Sequence, residues 1–254
     1  MTDLKLGEAF ADREVASLYR YRAPYPARIF EILARLLVEP RTILDAGAGT
    51  GSLARELVEI AARVDALDPS PAMIDEGRRL PRGNDPRLRW LIGRAEDGPT
   101  DPPYGLITCG ASIHWMDPLV TLPRFRAMLA PGARLAIVDT ENVHPSAPYR
   151  KEVLEVIRRY EPLTDHKSTR DFLDDLVARG LLVIEGREAV PPMPFEQSID
   201  EYLGFLGSTS TLNWAILGDR ASAFEQELRG VLSHHGTERV RYDVVGGVAW
   251  GRPA

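Results

Sequence analysis

Between residues 41 and 140, short apolar runs of strand length alternate with stretches in which apolar residues recur at helical period. The runs lie at 43–44, 64–68, 88–92, 106–109 and 135–138, and the helical stretches at 52–62, 72–80 and 118–129. Pro69-Ser70-Pro71 opens the second helix and Pro131-Gly132 closes the third. Repeated strand–helix units of this kind wind around a parallel sheet. Upstream, 13–25 and 27–37 read as two helices parted by a proline-marked break, expected as a lid over the sheet's edge. Downstream the regularity weakens. Helices are expected at 153–159 and 170–179, a sixth strand at 181–184 and a last strand at 242–250. Between those strands, Pro191-Pro192-Met193-Pro194 precedes a helical, aromatic-bearing insertion over 199–232. With no internal repeat or low-complexity linker, the expectation is one α/β domain over 1–254. Lid helices occupy 1–40, the core 41–140, and cap helices with the last two strands 141–254. Its sheet is seven-stranded, mostly parallel, and covered by helices on both faces.

Composition narrows the class without naming a function. A chain of 254 residues with 44% hydrophobic and 27% charged residues is ordinary globular material, long enough to be an enzyme. The formal net charge of -6 repels polyanions, and the arginines are dispersed, so no nucleic-acid partner is expected. Cys109 is the single cysteine, which rules out an intrachain disulfide and suits a reducing cytoplasm. The first eight residues carry acids where a secretion signal needs a basic start, and no apolar stretch approaches a bilayer span, so export and membrane insertion are not expected.

The strongest local signal is Ile43-Leu44-Asp45-Ala46-Gly47-Ala48-Gly49-Thr50-Gly51, a buried strand running into a glycine loop. Glycine removes the Cβ that would keep a ligand away from backbone N–H groups. A dinucleotide fingerprint, G-x-G-x-x-G, would need glycine at 52, where Ser52 stands. No G-K-S/T tail follows, which excludes a phosphate-cradling P-loop. Asp68, closing the second strand 17 residues past Gly51, is placed to accept both hydroxyls of a ribose. Asp45 would repel a pyrophosphate but suits the ammonium group of an amino-acid-bearing nucleoside.

These features resemble the class I S-adenosylmethionine methyltransferases, over about 19–139. The resemblance implies a Rossmann-like fold and S-adenosyl-L-methionine as cofactor. Asp45, Gly47, Gly49 and Gly51 would form its first motif, Asp68 the ribose acid, Met73 a contact near the adenine, and Ala95 and Glu96 further adenine-side contacts. The sequence is most similar to the small-molecule subgroup that includes trans-aconitate methyltransferase-like proteins. That subgroup has a Tyr-Arg-x-x-Tyr-Pro segment, here Tyr21 to Pro26, and a His-Trp pair after the fourth strand, here His114-Trp115. Tyr21 and Arg22 would then close over the cofactor, with Arg22 facing its carboxylate.

Methyl transfer is an in-line displacement, so alignment and exclusion of water are the main tasks. Where the acceptor is a hydroxyl or a protonated amine, His114 is the candidate general base. Tyr25, Trp115 and Trp214 are candidate walls of the acceptor pocket, although each would also serve as plain packing. Asp101-Pro102-Pro103-Tyr104 has the composition of a base-methylating motif but precedes the fourth strand, and reads as a turn. His144, His166, His234 and His235 are scattered without metal-ligand spacing, so no metal is expected. Asp139 and Glu141 read as loop carboxylates and Cys109 as core. The expected reaction is methyl transfer from S-adenosylmethionine to an O or N nucleophile of a small-molecule metabolite or natural product. A carboxylate acceptor of the trans-aconitate type is the alternative within the class. A nicotinamide-dependent oxidoreductase and a non-catalytic cofactor-binding protein stand outside it. The insertion over 199–232 fits either an acceptor pocket or a surface between copies in a homo-oligomer.

Overall fold

A computed structural model describes residues 12–144, 147–161 and 168–254; the first eight residues and His166 lie outside the described residues. The chain divides into two compact units. One comprises 24–140, 167–191 and 246–254, the other 1–23, 141–166 and 192–245. Seven strands form one sheet: β1 (Thr42–Ala46), β2 (Arg63–Asp68), β3 (Leu88–Ile92), β4 (Tyr104–Gly110), β5 (Leu129–Val143), β6 (Leu182–Ser198) and β7 (Arg239–Pro253). Their order is β3-β2-β1-β4-β5-β7-β6, and the pairs β1·β2, β2·β3, β1·β4 and β4·β5 are parallel. The Rossmann-like α/β sheet expected from the sequence is the one found.

In the larger unit, side chains alternate between two apolar faces. Ile43, Val64, Leu106, Ala136 and Val138 pack on one face with α2 (Ala27–Leu36) and α3 (Ala54–Leu57). Leu44, Ala46, Leu67, Ile107, Cys109, Leu135 and Ile137 pack on the other with α5 (Pro118–Met128) and α7 (Thr169–Ala178). Strands covered on both faces read as continuous apolar runs, which is why the sequence pattern found them. α2 shows the complementary helical pattern. Ile29, Ile32 and Leu33 are buried, while Arg28, Glu31 and Arg35 face out, the two arginines pairing with Glu188.

The smaller unit has its own core around α1 (Arg13–Leu18), α6 (Arg150–Tyr160), α8 (Ile199–Gly207), α9 (Trp214–Leu217) and α10 (Ala221–His234). Phe224, Leu228 and Leu232, one helical turn apart on α10, are fully enclosed with Val153, Val156 and Tyr160 of α6. Ser198 and Glu201 cap α8 reciprocally, each side chain bonding the other's backbone N–H.

Several boundaries differ from expectation. α1 stops at Leu18, Tyr19–Tyr21 forms a single 3₁₀ turn, and Arg22 is extended at ψ 137°. Ala23-Pro24 and Tyr25-Pro26 follow, and the residue before proline is driven out of helical conformation. The helix expected over 52–62 is reduced to α3, and the chain then tightens into i→i−3 bonds at Glu59 and Ile60. β5 begins at Leu129, so Pro131-Gly132 lies inside a strand; a register irregularity opposite Tyr104 and Leu106 and a φ of +83° at Gly132 accommodate it. Asp139 and Glu141 are therefore strand residues. Pro191-Pro192-Met193-Pro194 likewise lies within β6, because β6 is the outermost strand and prolines are tolerated where a ladder bond is not required.

Candidate functional site

The sheet order reverses between β1 and β4, and ligands of open α/β sheets sit at the carboxyl ends of the strands beside such a reversal. Beyond β1, Gly47, Gly49 and Gly51 hold φ values of +69°, +57° and +76°, a conformation that any Cβ would strain. Gly47 is also pressed against Ser112, whose Cβ lies 2.6 Å from where a Cβ on Gly47 would stand. Ser112 itself donates to the carbonyl of Ala46 at 2.7 Å, tying the exit of β4 to the exit of β1.

Asp68 lies beside this loop. Its Oδ2 accepts from the N–H of Gly49 at 2.7 Å and its Oδ1 from the N–H of Ser70 at 2.8 Å. Burial raises its carboxyl above the usual range, opposed by those two bonds. Asp45 is enclosed more deeply. It is 2% exposed, is paired across the sheet with Thr108, and accepts from the Thr108 hydroxyl at 2.7 Å. Burial pushes its carboxyl up to about 7, partly offset by the bonds from Thr108 and the Ala54 backbone. Among the described residues no cation bonds it, so an ammonium is a group that would restore its charge.

Around this centre, Ser70 caps α4 (Pro71–Arg79) by accepting from the N–H of Met73 at 3.3 Å, and Met73 is buried. After β3, Ala95 is buried and its carbonyl accepts from Arg124 at 2.9 Å. Glu96 accepts from the N–H of Asp117 at 2.9 Å and from Arg94 at 3.3 Å, and lies below the usual carboxylate range despite burial because of those partners. His114 and Trp115 lie in the 3₁₀ turn Ile113–Trp115 that follows β4, half-buried with ring centroids 4.8 Å apart. A Cβ on Gly110 would stand 2.9 Å from the Tyr25 hydroxyl, so Tyr25 also reaches the exit of β4.

The remaining expected residues belong to the smaller unit and have partners there. Arg22 donates to Ser208 at its Oγ (3.0 Å) and carbonyl (2.7 Å) and lies 4.1 Å from the centroid of the Tyr19 ring. Tyr21 packs on Gly204 of α8, and Trp214 on Gly207.

Trp90 was not foreseen. A Cβ at Gly51 would fall 2.6 Å from its indole and one at Gly77 of α4 2.4 Å, while its Nε1 donates to the Gly83 carbonyl at 2.8 Å. The indole thus fills the space behind the loop's last glycine. A tryptophan inside an apolar strand gives no sign of this in sequence. Asp101-Pro102-Pro103-Tyr104, expected as a turn ahead of the fourth strand, is instead irregular chain whose Tyr104 opens β4. The Tyr104 hydroxyl donates to buried Asp65 at 2.7 Å and accepts from the Asp101 N–H at 2.9 Å, and Arg89 grips Asp65 through two bonds of 2.7 and 2.8 Å. Cys109 is fully buried, and burial raises its thiol. Among the described residues there is no cluster of ligating side chains suited to a metal, and no helix is long and apolar enough to cross a membrane.

A buried acid at the end of β1, a left-handed glycine turn and a second buried acid at the end of β2 thus meet at the reversal in sheet order. Residues 43–132 match the family described as methyltransferase domain. That stretch holds the glycine loop, both acids and the exit of β4. An uncharacterized methyltransferase of Mycobacterium tuberculosis is 36% identical over 125 residues, covering 49% of each chain. A ubiquinone biosynthesis O-methyltransferase of Xanthomonas campestris is 26% identical over 125 residues, 48% of this chain and 52% of that one. The chain spans about half the length of these curated relatives. In fold, it is similar to a candidate type II methyltransferase from Anaeromyxobacter dehalogenans, with a TM-score of 0.63, 24% identity, and coverage of 91% of this chain and 97% of that one.

Proposed function

We propose that this protein transfers the methyl group of S-adenosylmethionine to an oxygen or nitrogen nucleophile of a small molecule. The observation that carries this reading is Asp45, a buried carboxyl raised to about 7 beside a left-handed glycine turn, with no cation bonded to it among the described residues. The donor set suits the cofactor: Asp45 would hold its ammonium, Asp68 its ribose hydroxyls, and Gly47, Gly49 and Gly51 would let the backbone approach it. Met73, Ala95 and Glu96 would border the adenine. When bound, the cofactor supplies an electrophilic methyl group on a sulfonium. His114, at the exit of β4, would take the proton of a hydroxyl or ammonium acceptor, and Tyr25 and Trp115 would wall the acceptor. The names of the O-methyltransferase relatives, one of which acts in ubiquinone biosynthesis and another, from Halalkalibacterium halodurans, on malonyl-[acyl-carrier protein], favour oxygen over nitrogen.

The test is S-adenosylhomocysteine formation with a panel of phenols, alcohols, carboxylic acids and amines. Turnover with a hydroxyl or amine that slows sharply in His114→Gln supports the proposal. No turnover with any acceptor, despite tight cofactor binding, would sink it in favour of a non-catalytic binding protein.

A further inference from the structure

The smaller unit contains a cleft of about 700 Å³, within the size range of small-molecule sites, and no part of the reading above uses it. Its walls include the rings of His144, Tyr149, Phe195 and Tyr242. Their polar atoms are already engaged. His144 Nδ1 lies 3.2 Å from the Arg241 carbonyl and its Nε2 3.4 Å from the Tyr202 hydroxyl, which assigns the proton to Nδ1. The Tyr149 hydroxyl accepts from the Arg241 N–H at 3.1 Å, and the Tyr242 hydroxyl donates to Gln197 at 2.6 Å. Burial and the nearby Arg150 both lower the pKa of His144 and keep it neutral. The aromatic walls therefore hold their hydrogen-bonding tips in partners of the fold rather than free for a ligand.

The charges at the cleft are unevenly matched. Arg239 and Arg241 both bond one carboxylate, Glu196. Two further carboxylates, exposed Glu238 and half-buried Asp243, line the cleft and their side chains form no ion pair or hydrogen bond among the described residues. Among the residues that line the cleft, two arginines stand against three acids and a neutral histidine, with Arg150 near His144 but outside the lining, so an anionic ligand would meet engaged guanidiniums in the walls. A cation would meet two available carboxylates in an aromatic-lined cleft.

We infer that this cleft is a binding site for an organic ammonium ion with an apolar or aromatic body. The site stands independently of methyl transfer, and its test requires no cofactor.

The full-length protein is titrated with tryptamine and, separately, with indole-3-acetate, two probes sharing a ring and differing in the sign of their charge, while the His144 ring protons are followed by NMR. Tryptamine should saturate, move the His144 resonances, and bind at least about tenfold more tightly than indole-3-acetate. The double variant D243N/E238Q, with an unchanged circular dichroism spectrum and Tm, should lose most of that preference. Equal or tighter binding of indole-3-acetate would overturn the inference. So would tryptamine binding that leaves His144 unmoved, or no saturation below about 10 mM.

Discussion

A carboxyl enclosed as Asp45 is costs the fold stability unless a cation reaches it. An unfolded aspartate titrates at 3.8 and the folded one at about 7, so between those values the folded state holds the extra proton. The contribution of Asp45 to stability is thus fully present below 3.8 and declines as pH rises through about 7. Asp45→Asn should then raise the stability of the unliganded protein at pH 8 by about 1–3 kcal/mol in denaturant titrations, while sharply weakening cofactor binding. A drop in stability would show that the carboxylate is compensated in the free protein. Ligand binding carries the opposite sign. An ammonium prefers the ionised acid, so the affinity for S-adenosylhomocysteine should fall about tenfold per pH unit below about 7 and level off above it, with proton release at pH 6 seen by calorimetry in buffers of different ionisation heat. The place of Asp45 at the end of β1 was legible in the sequence, since an acid there interrupts an apolar strand just before a glycine turn. Its enclosure by Thr108 was not, because that pairing depends on how β1 and β4 register.

At the scale of elements, Trp90 links the glycine loop, β3 and α4 through one indole. Gly51→Ala would add a Cβ 2.6 Å from that ring at a φ of +76° and should destabilise the protein by about 2–4 kcal/mol. Combining it with Trp90→Phe should recover part of the loss; strictly additive effects in the double-mutant cycle would refute the contact. The Asp65 cluster is a second such joint. Tyr104→Phe removes the hydroxyl that bridges Asp65 and Asp101 and should cost about 1–3 kcal/mol in chemical denaturation without altering cofactor affinity. The five core strands were readable because residues such as Ile43 and Leu44 are buried on opposite faces. The long β6 was not. Its prolines are common turn formers, and only its place at the sheet's edge makes them compatible with a strand. In the same way, Pro131-Gly132 resembled a helix stop and is an irregularity within β5.

The molecule as a whole joins two compact units whose sequences differ in legibility. In the larger unit, the alternation of strand and helix exposes the fold, and the residues expected around the glycine loop from Asp45 to Trp115 lie in it. In the smaller unit, amphipathic helices such as α6 and α10 bury a few residues each, a pattern that announces helices but not their partners. Arg22, Tyr21 and Trp214 belong there, and their contacts with Ser208, Gly204 and Gly207 span sequence separations that no local pattern encodes. The central claim is that the crevice beside Asp45 takes an amino-acid-bearing nucleoside. Isothermal titration calorimetry with S-adenosylhomocysteine at pH 8, on the natural protein and on Asp45→Asn, tests it most directly. The account predicts one site of micromolar affinity that the substitution weakens at least about a hundredfold, and no heat with NADH. Saturable NADH binding, or S-adenosylhomocysteine binding that Asp45→Asn leaves intact, would contradict it.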